Sequence, residues 1–329
     1  GGIAGGCAVP GIMATRSLKS PRERLATLLT VPFMNCGAKL PVFALLVAAF
    51  FATHKALVMF VITLVSWAGA LLVAKLLRST VVKGESTPFV MELPPYRLPT
   101  FKGILIHTWE RTWQYVRKAG TVILGISIVL WAMMTFPGTP GSLRQQFESE
   151  RQALLAAAPA IAAEIQNAGE EAELSDAAQM VQDQIGVIDA REAESGLRYS
   201  LAGRIGTALE SLSQFAGFDW RTNIALVGGF AAKEVVVSTL GTAYSLGEVD
   251  PEETGSLADK LSVTPGWRPL TALSLIVFTM FYAPCFVSVV CIAREAGSWK
   301  WGAFSIVFNT VLAFSLAVVV YQVGTLLGF

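Results

Sequence analysis

Long apolar runs alternate with short polar ones along this chain. The runs at 30–53, 56–77, 119–136, 270–293 and 302–328 are poor in charge. Each approaches the ~20 residues that a helix needs to cross ~30 Å of hydrocarbon. Two further apolar runs, 1–15 and 222–245, are short, rich in Gly and interrupted. They predict re-entrant or broken helices, which a membrane protein tolerates only where the freed backbone is buried in protein or lines a cavity. The pattern therefore predicts an all-α polytopic membrane protein.

Composition agrees. The 329 residues are 53% hydrophobic and 15% charged, with mean hydropathy +0.55, against roughly 25% charged residues in soluble domains. The net charge of +1 is carried almost wholly by the polar segments, with no basic face for nucleic acid. Orientation follows from Lys and Arg at the span ends. Arg16, Lys19, Arg22 and Arg24, and seven basic against three acidic residues in 78–118, read as cytoplasmic. The run at 119–136 then leads out, and 142–198, with eleven acidic and four basic residues, lies outside. Arg294 and Lys300 return the next loop to the inside. That requires 222–245 to dip in and come back without crossing.

The polar segments hold no catalytic constellation. The linker at 94–99 is Pro-rich and extended. Phe101, Ile104, Leu105, Trp109, Trp113 and Val116 recur at helical spacing opposite Lys102, Arg111 and Lys118, predicting a helix on the cytoplasmic membrane surface. The Ala/Glu/Gln-rich stretch 142–198 reads as a solvated helical insertion, partly mobile and without a catalytic constellation. His54 and Lys55 fall in an outer loop, His107 on the surface helix, and Arg294-Glu295 at an inner span end, all read as interfacial. The opening Gly1-Gly2-Ile3, without an initiator Met, is expected of a fragment or a processed product.

The chemistry concentrates where apolar runs are broken. Gly6-Cys7-Ala8-Val9-Pro10, Pro32-Phe33-Met34-Asn35-Cys36-Gly37-Ala38, Gly228-Gly229-Phe230-Ala231-Ala232-Lys233-Glu234 and Tyr282-Ala283-Pro284-Cys285 each combine Pro or Gly with a polar or sulfur side chain. Pro removes a backbone donor and Gly eases unwinding, so Pro10, Pro32, Gly37, Gly228, Gly229 and Pro284 are the expected helix breaks. Broken helices at mid-depth are how transporters build ion sites. Their order, an interrupted short segment, a broken span and a plain span, occurs twice, predicting two inverted halves. Cys7, Cys36 and Cys285 are the candidate ligands, since thiolate suits late first-row divalent metals better than Na⁺, Mg²⁺ or Ca²⁺. Met13, Met34 and Asn35 could assist; Cys291, on a plain helix, reads as packing, the common role of a free Cys. Glu234 could add an oxygen ligand, and Lys233 could neutralise an acid or form a like-charge barrier.

These motifs carry a resemblance. Cys7-Ala8-Val9-Pro10-Gly11-Ile12-Met13-Ala14-Thr15-Arg16 and Pro32-Phe33-Met34-Asn35-Cys36-Gly37-Ala38-Lys39-Leu40-Pro41 resemble the paired gate motifs of the ferrous iron transport protein B (FeoB) family. Pro88-Phe89-Val90-Met91-Glu92-Leu93-Pro94, Ala232-Lys233-Glu234-Val235-Val236-Val237 and Pro284-Cys285 are similar to further segments in the same order. The resemblance covers about 1–136 and 200–329, leaving 137–199 as a variable insertion. It implies Fe²⁺ as the transported substrate at the inner membrane, with gate cysteines as metal ligands. It also implies a covalently linked GTP-binding domain, which would carry GTP and Mg²⁺, and small cytoplasmic Feo accessory proteins or a homo-oligomer as partners beside the lipid bilayer. No Gly-x-x-x-x-Gly-Lys-Ser/Thr phosphate loop occurs in this chain, so any GTPase activity is expected on that other domain and none of enzyme type here.

The expected organisation is a first gate half at 1–77, a cytoplasmic linker and amphipathic helix at 78–118, and a connecting span at 119–136. An extracytoplasmic helical insertion at 137–221 and a second gate half at 222–329 complete it. Alternatives are transport of Zn²⁺ or Mn²⁺, transport of a nucleoside, since the gate motif also resembles that of concentrative nucleoside carriers, and a membrane sensor or scaffold. A nucleoside site would want aromatic stacking, and a scaffold would tolerate Cys→Ser at all three positions.

Overall fold

The computed structural model describes residues 7–18, 20–82, 100–159, 161, 163–164, 175–244, 255–264 and 266–329. Gly6, the motif at 88–94 and the linker at 94–99 lie outside the described residues, as do the side chains of His107, Arg111 and Lys118. Among the described residues the regular structure is helical, with no strand. Among the described residues, four helical stretches are long and apolar enough to cross a membrane: Pro21–Phe50, Ala52–Thr80, Pro269–Glu295 and Trp299–Leu326.

The first of these stretches is built from two short helices. After α1 (Ala8–Ala14), α2 (Pro21–Thr30) starts where the Ser20 side chain accepts from the Glu23 N–H and Pro21 occupies the first turn. These are ordinary helix-start chemistries. The apolar run at 30–53 therefore understates this span. Its first turns carry Arg22, Glu23 and Arg24, charges that belong at a membrane interface, and hydropathy alone starts counting too late. The chain leaves helical geometry near Val31 and resumes it in α3 (Leu40–Phe50); α4 (Lys55–Thr80) is unbroken.

The surface helix and the run at 119–136 form one continuous helix, α5 (Phe101–Thr135), of 35 residues. At 1.5 Å per residue it is about 52 Å long, and the expected surface helix and the run at 119–136 are not separate elements, because no Pro or turn interrupts the helical hydrogen bonds between them. Trp109 and Trp113 stack 6.3 Å apart and are exposed, the placement expected of interfacial anchors. Beyond it, α6 (Gly141–Ala157) pairs with α7 (Asp176–Tyr199). Arg151 ties the pair by donating to Asp189 at 2.7 Å and to Glu192.

The remaining helices repeat the opening pattern. α8 (Leu201–Ser213) packs on α9 (Trp220–Ala231), and α9 folds back on α10 (Val235–Ala243). With 12 and 9 residues, the arms α9 and α10 are about 18 and 14 Å long, each too short to cross ~30 Å of hydrocarbon. A short α11 (Gly255–Val263) packs on α3. The second broken span is α12 (Pro269–Phe281) and α13 (Phe286–Glu295), followed by the unbroken α14 (Trp299–Leu326).

Contacts cross between the two sets of helices. α1 lies on α13, and α3 touches both α12 and α10. Glu295 clasps Arg16, whose Nε lies 3.0 and 2.9 Å from its two oxygens, and Arg24 at 2.6 Å. Glu295 is thus a tie between the first and second sets rather than a simple interfacial anchor. α8 and α9 approach closely at Gly206, where a Cβ would sit 2.9 Å from the Trp220 carbonyl oxygen and against the Ile224 side chain. Gly206→Val should therefore push α8 off α9, costing about 1–3 kcal/mol as overpacking typically does. Thermal unfolding in detergent checks this; an unchanged midpoint would mean that the two helices are not held this closely.

Candidate functional site

Four irregular segments converge on one cavity of about 250 Å³. They are the start of α1, the break at 31–39 between α2 and α3, the tip at 232–234 between α9 and α10, and the break at 282–285 between α12 and α13. Cys7, Cys36 and Cys285 all line it, with Pro32, Met34, Gly37, Lys233, Glu234 and Pro284. Cys7 is exposed, and Cys36 and Cys285 are partly so. Each cysteine immediately precedes a helical turn: Cys7 that of α1, Cys36 the 3-10 turn Gly37–Lys39 leading into α3, and Cys285 that of α13. In none of the three does a side chain cap the turn.

The helix breaks free carbonyl oxygens, and buried side chains answer them. Lys39 and Lys233 are each 2% exposed. Lys39 Nζ donates to the Met280 carbonyl at 2.8 Å and the Pro32 carbonyl at 3.3 Å. Lys233 Nζ donates to the Ala283 carbonyl at 2.9 Å and lies 4.0 Å from the centre of the Tyr282 ring, a cation–π placement. Ser66 Oγ on α4 donates to the Phe33 carbonyl at 2.9 Å, and the Tyr282 hydroxyl donates to the Leu226 carbonyl at 3.0 Å. A buried carbonyl without a donor is costly; here both breaks are supplied from the opposite or neighbouring helices.

Some expected residues sit elsewhere. Gly228 and Gly229 are inside α9, not at its break. A Cβ on Gly228 would stand 3.3 Å from Val235 Cγ1, and one on Gly229 would run into Val236, so these glycines admit the returning arm α10 rather than unwind the chain. Pro10 is the third residue of α1, within the first turn, where no intrahelical N–H bond is lost. Asn35 is buried at 8% exposure off the cavity wall, its Oδ1 without a hydrogen-bond partner. Met13 and Cys291 pack against Val9 and Val287. Lys39 went unrecognised as a site residue from the sequence; its signal was a lone lysine inside an apolar run. Ser288, 3.2 Å from Cys285 Sγ, gave none.

Among the described residues, no three His, Cys, Asp or Glu side chains come close enough together to hold one metal ion. Glu234, exposed to the cavity, is the only carboxylate on its wall among those residues. In this conformation the thiols share a chamber and do not form a closed ligand set.

Comparison with known proteins decides the family. A model described as Gate: Nucleoside recognition matches residues 1–50 and 116–299, and one described as Ferrous iron transport protein B C terminus matches 59–111. The chain belongs to the FeoB family. It is 37% identical over 98% of its length to an Fe(2+) transport protein A/Fe(2+) transporter FeoB fusion protein of Porphyromonas gingivalis, covering 37% of that protein. It is 35% identical to an Fe(2+) transporter FeoB of Helicobacter pylori and 32% to one of Campylobacter jejuni, again over 98% of the chain and covering 47% and 45% of them. The chain thus spans less than half the length of these FeoB relatives and corresponds to their C-terminal permease part. No solved structure matches it. The two pieces of the Gate match each contain one of the cysteine-bearing breaks, at 31–39 and 282–285.

Lys39 and Lys233 are the basic side chains on the cavity wall among the described residues, so their influence on an approaching charge can be read directly. On single-cysteine variants, a negatively charged methanethiosulfonate should modify Cys36 and Cys285 faster than a positively charged one. Normalised to a free thiol, the preference should be on the order of tenfold, the lower end of electrostatic concentration in clefts. Equal normalised rates would mean that Lys39 and Lys233 exert no field there.

Proposed function

We propose that this chain is the permease portion of a ferrous iron uptake transporter of the bacterial inner membrane, and that Fe²⁺ passes between two inverted halves, 1–77 and 222–329. The observation that carries this reading is the convergence of Cys7, Cys36 and Cys285, from three separate helix starts, on one cavity. Thiolate sulfur suits late first-row divalent metals, and Glu234 adds an oxygen ligand. Thiols must release protons to bind a metal, so loading would exchange protons for Fe²⁺ and offset the positive field of the two lysines. Met34 lies within the same wall as a soft neighbour. The twice-repeated order of short arm, broken span and plain span supports alternating movement of the halves about the site.

In the same reading, 78–118 is cytoplasmic, 119–136 crosses, and 137–221 is extracytoplasmic. GTP and Mg²⁺ act on a covalently linked domain outside this chain, and small Feo accessory proteins dock from the cytoplasm. One relative that is itself a fusion of Fe(2+) transport protein A with an Fe(2+) transporter supports such a partner. The Gate description raises a nucleoside as cargo, but no aromatic side chain lines the cavity among the described residues, and a base would want one to stack on.

The test is anaerobic ⁵⁵Fe²⁺ uptake into importer-deficient cells, comparing the wild type with Cys36→Ser at matched membrane abundance. Uptake should fall by about tenfold or more, since losing even an outer-shell partner of a metal site typically costs 10- to 100-fold. Undiminished uptake would return Cys36 to packing and leave the thiol path without support.

A further inference from the structure

The carbonyl contacts of Lys39 and Lys233 bear on which metals the cavity accepts. A broken membrane helix offers backbone carbonyl oxygens at the place where an ion would stop. Such oxygens are hard ligands: they strip water from K⁺ in channel filters and supply much of the coordination of Ca²⁺. Left open, the carbonyls of Pro32, on the cavity wall, and of Met280 and Ala283, just before the wall residues Pro284 and Cys285, would be unpaired hard oxygens at the thiol-bearing breaks. They are not open. The Lys39 amino group spans the Pro32 and Met280 oxygens at 3.3 and 2.8 Å, bridging the first break to the end of α12. The Lys233 amino group holds the Ala283 oxygen at 2.9 Å. Lys233 is fixed on its other side by the Tyr282 ring, whose hydroxyl is itself bonded to the Leu226 carbonyl. Both lysines are 2% exposed, so neither amino group is free to trade its carbonyls for water without a rearrangement of the breaks.

We propose that Lys39 and Lys233 are specificity-determining residues, tethered hydrogen-bond donors that occupy the hard oxygen ligands of the broken helices and leave the cavity with its sulfur donors and Glu234. Selectivity then works by subtraction: Ca²⁺ finds too few oxygens, while a metal that accepts thiolate finds its ligands intact. This deepens the reading of the cavity as the metal path and rests on it. The placement differs from that of a charge merely buried for repulsion, because each amino group is aimed at carbonyls released by a break.

The experiment reconstitutes the complete gene product in proteoliposomes containing a Ca²⁺ indicator, with anaerobic Fe²⁺ influx measured in parallel. Lys39→Met and Lys233→Met should each raise the ratio of Ca²⁺ to Fe²⁺ influx by on the order of tenfold, equivalent to about 1.4 kcal/mol of discrimination. Lys39→Gln, which keeps an amide donor for one carbonyl, should raise it less. An unchanged ratio in variants that insert and melt like the wild type overturns the proposal. Failure of all three variants to accumulate in the membrane assigns both lysines to folding alone and overturns it as well. Wild-type protein without Fe²⁺ influx would instead overturn the transport reading on which the proposal stands.

Discussion

A carbonyl oxygen released inside a membrane must find a donor, and water is not at hand to provide one. The breaks at 31–39 and 282–285 release several, and the arrangement of the surrounding helices follows from how they are met. Lys39 reaches from the start of α3 to the end of α12, Lys233 from the α9–α10 tip to the second break, and Ser66 from α4 to the first. Remove these donors and each break would carry buried unpaired acceptors, at about 1–3 kcal/mol apiece. Because the Lys39–Met280 and Lys233–Ala283 bonds join segments far apart in sequence, the same bonds that make the breaks tolerable hold the separate elements together.

The cavity inherits its character from this solution. Helix ends bring cysteines, with their uncapped first turns, to one side of each break, and lysines to the carbonyls on the other. A site made this way sets two lysines beside three thiols. Under the proposed function the thiols would gain charge as a metal replaced their protons. The Glu295 clasp with Arg16 and Arg24 closes the interface beyond α1 and α13, so movement at the cavity cannot be separated from movement of that tie.

Much of this was legible in the sequence because hydrocarbon punishes irregularity. Pro and Gly inside apolar runs marked the breaks, and the short arms at 222–245 were too brief to cross; the α9–α10 hairpin follows from both. What could not be read depends on partners distant in sequence. Lys39 looks like any lysine near a span end until Met280 is placed beside it. Gly228 and Gly229 signal unwinding by composition, yet they serve close approach, because the residues they accommodate, Val235 and Val236, lie on the next helix. Asn35 shares a motif with Cys36 but turns away from the cavity, a matter of one residue's direction in an irregular turn that no periodicity governs. The span beginning at Pro21 was hidden because its interfacial charges resemble a loop.

The breaks also shape the electric field. Where water reaches a mid-membrane chamber from one side, the transmembrane voltage no longer falls across the whole bilayer but across the thinner protein seal that remains. Each elementary charge moved through the full voltage gains ~2.3 kcal/mol per 100 mV, so a doubly charged ion gains ~4.6, concentrated on the few residues of that seal. With half-helices such as α2 and α13 only 10 residues long, about 15 Å each, such a seal would be short, and a modest membrane voltage would become a steep local force across it.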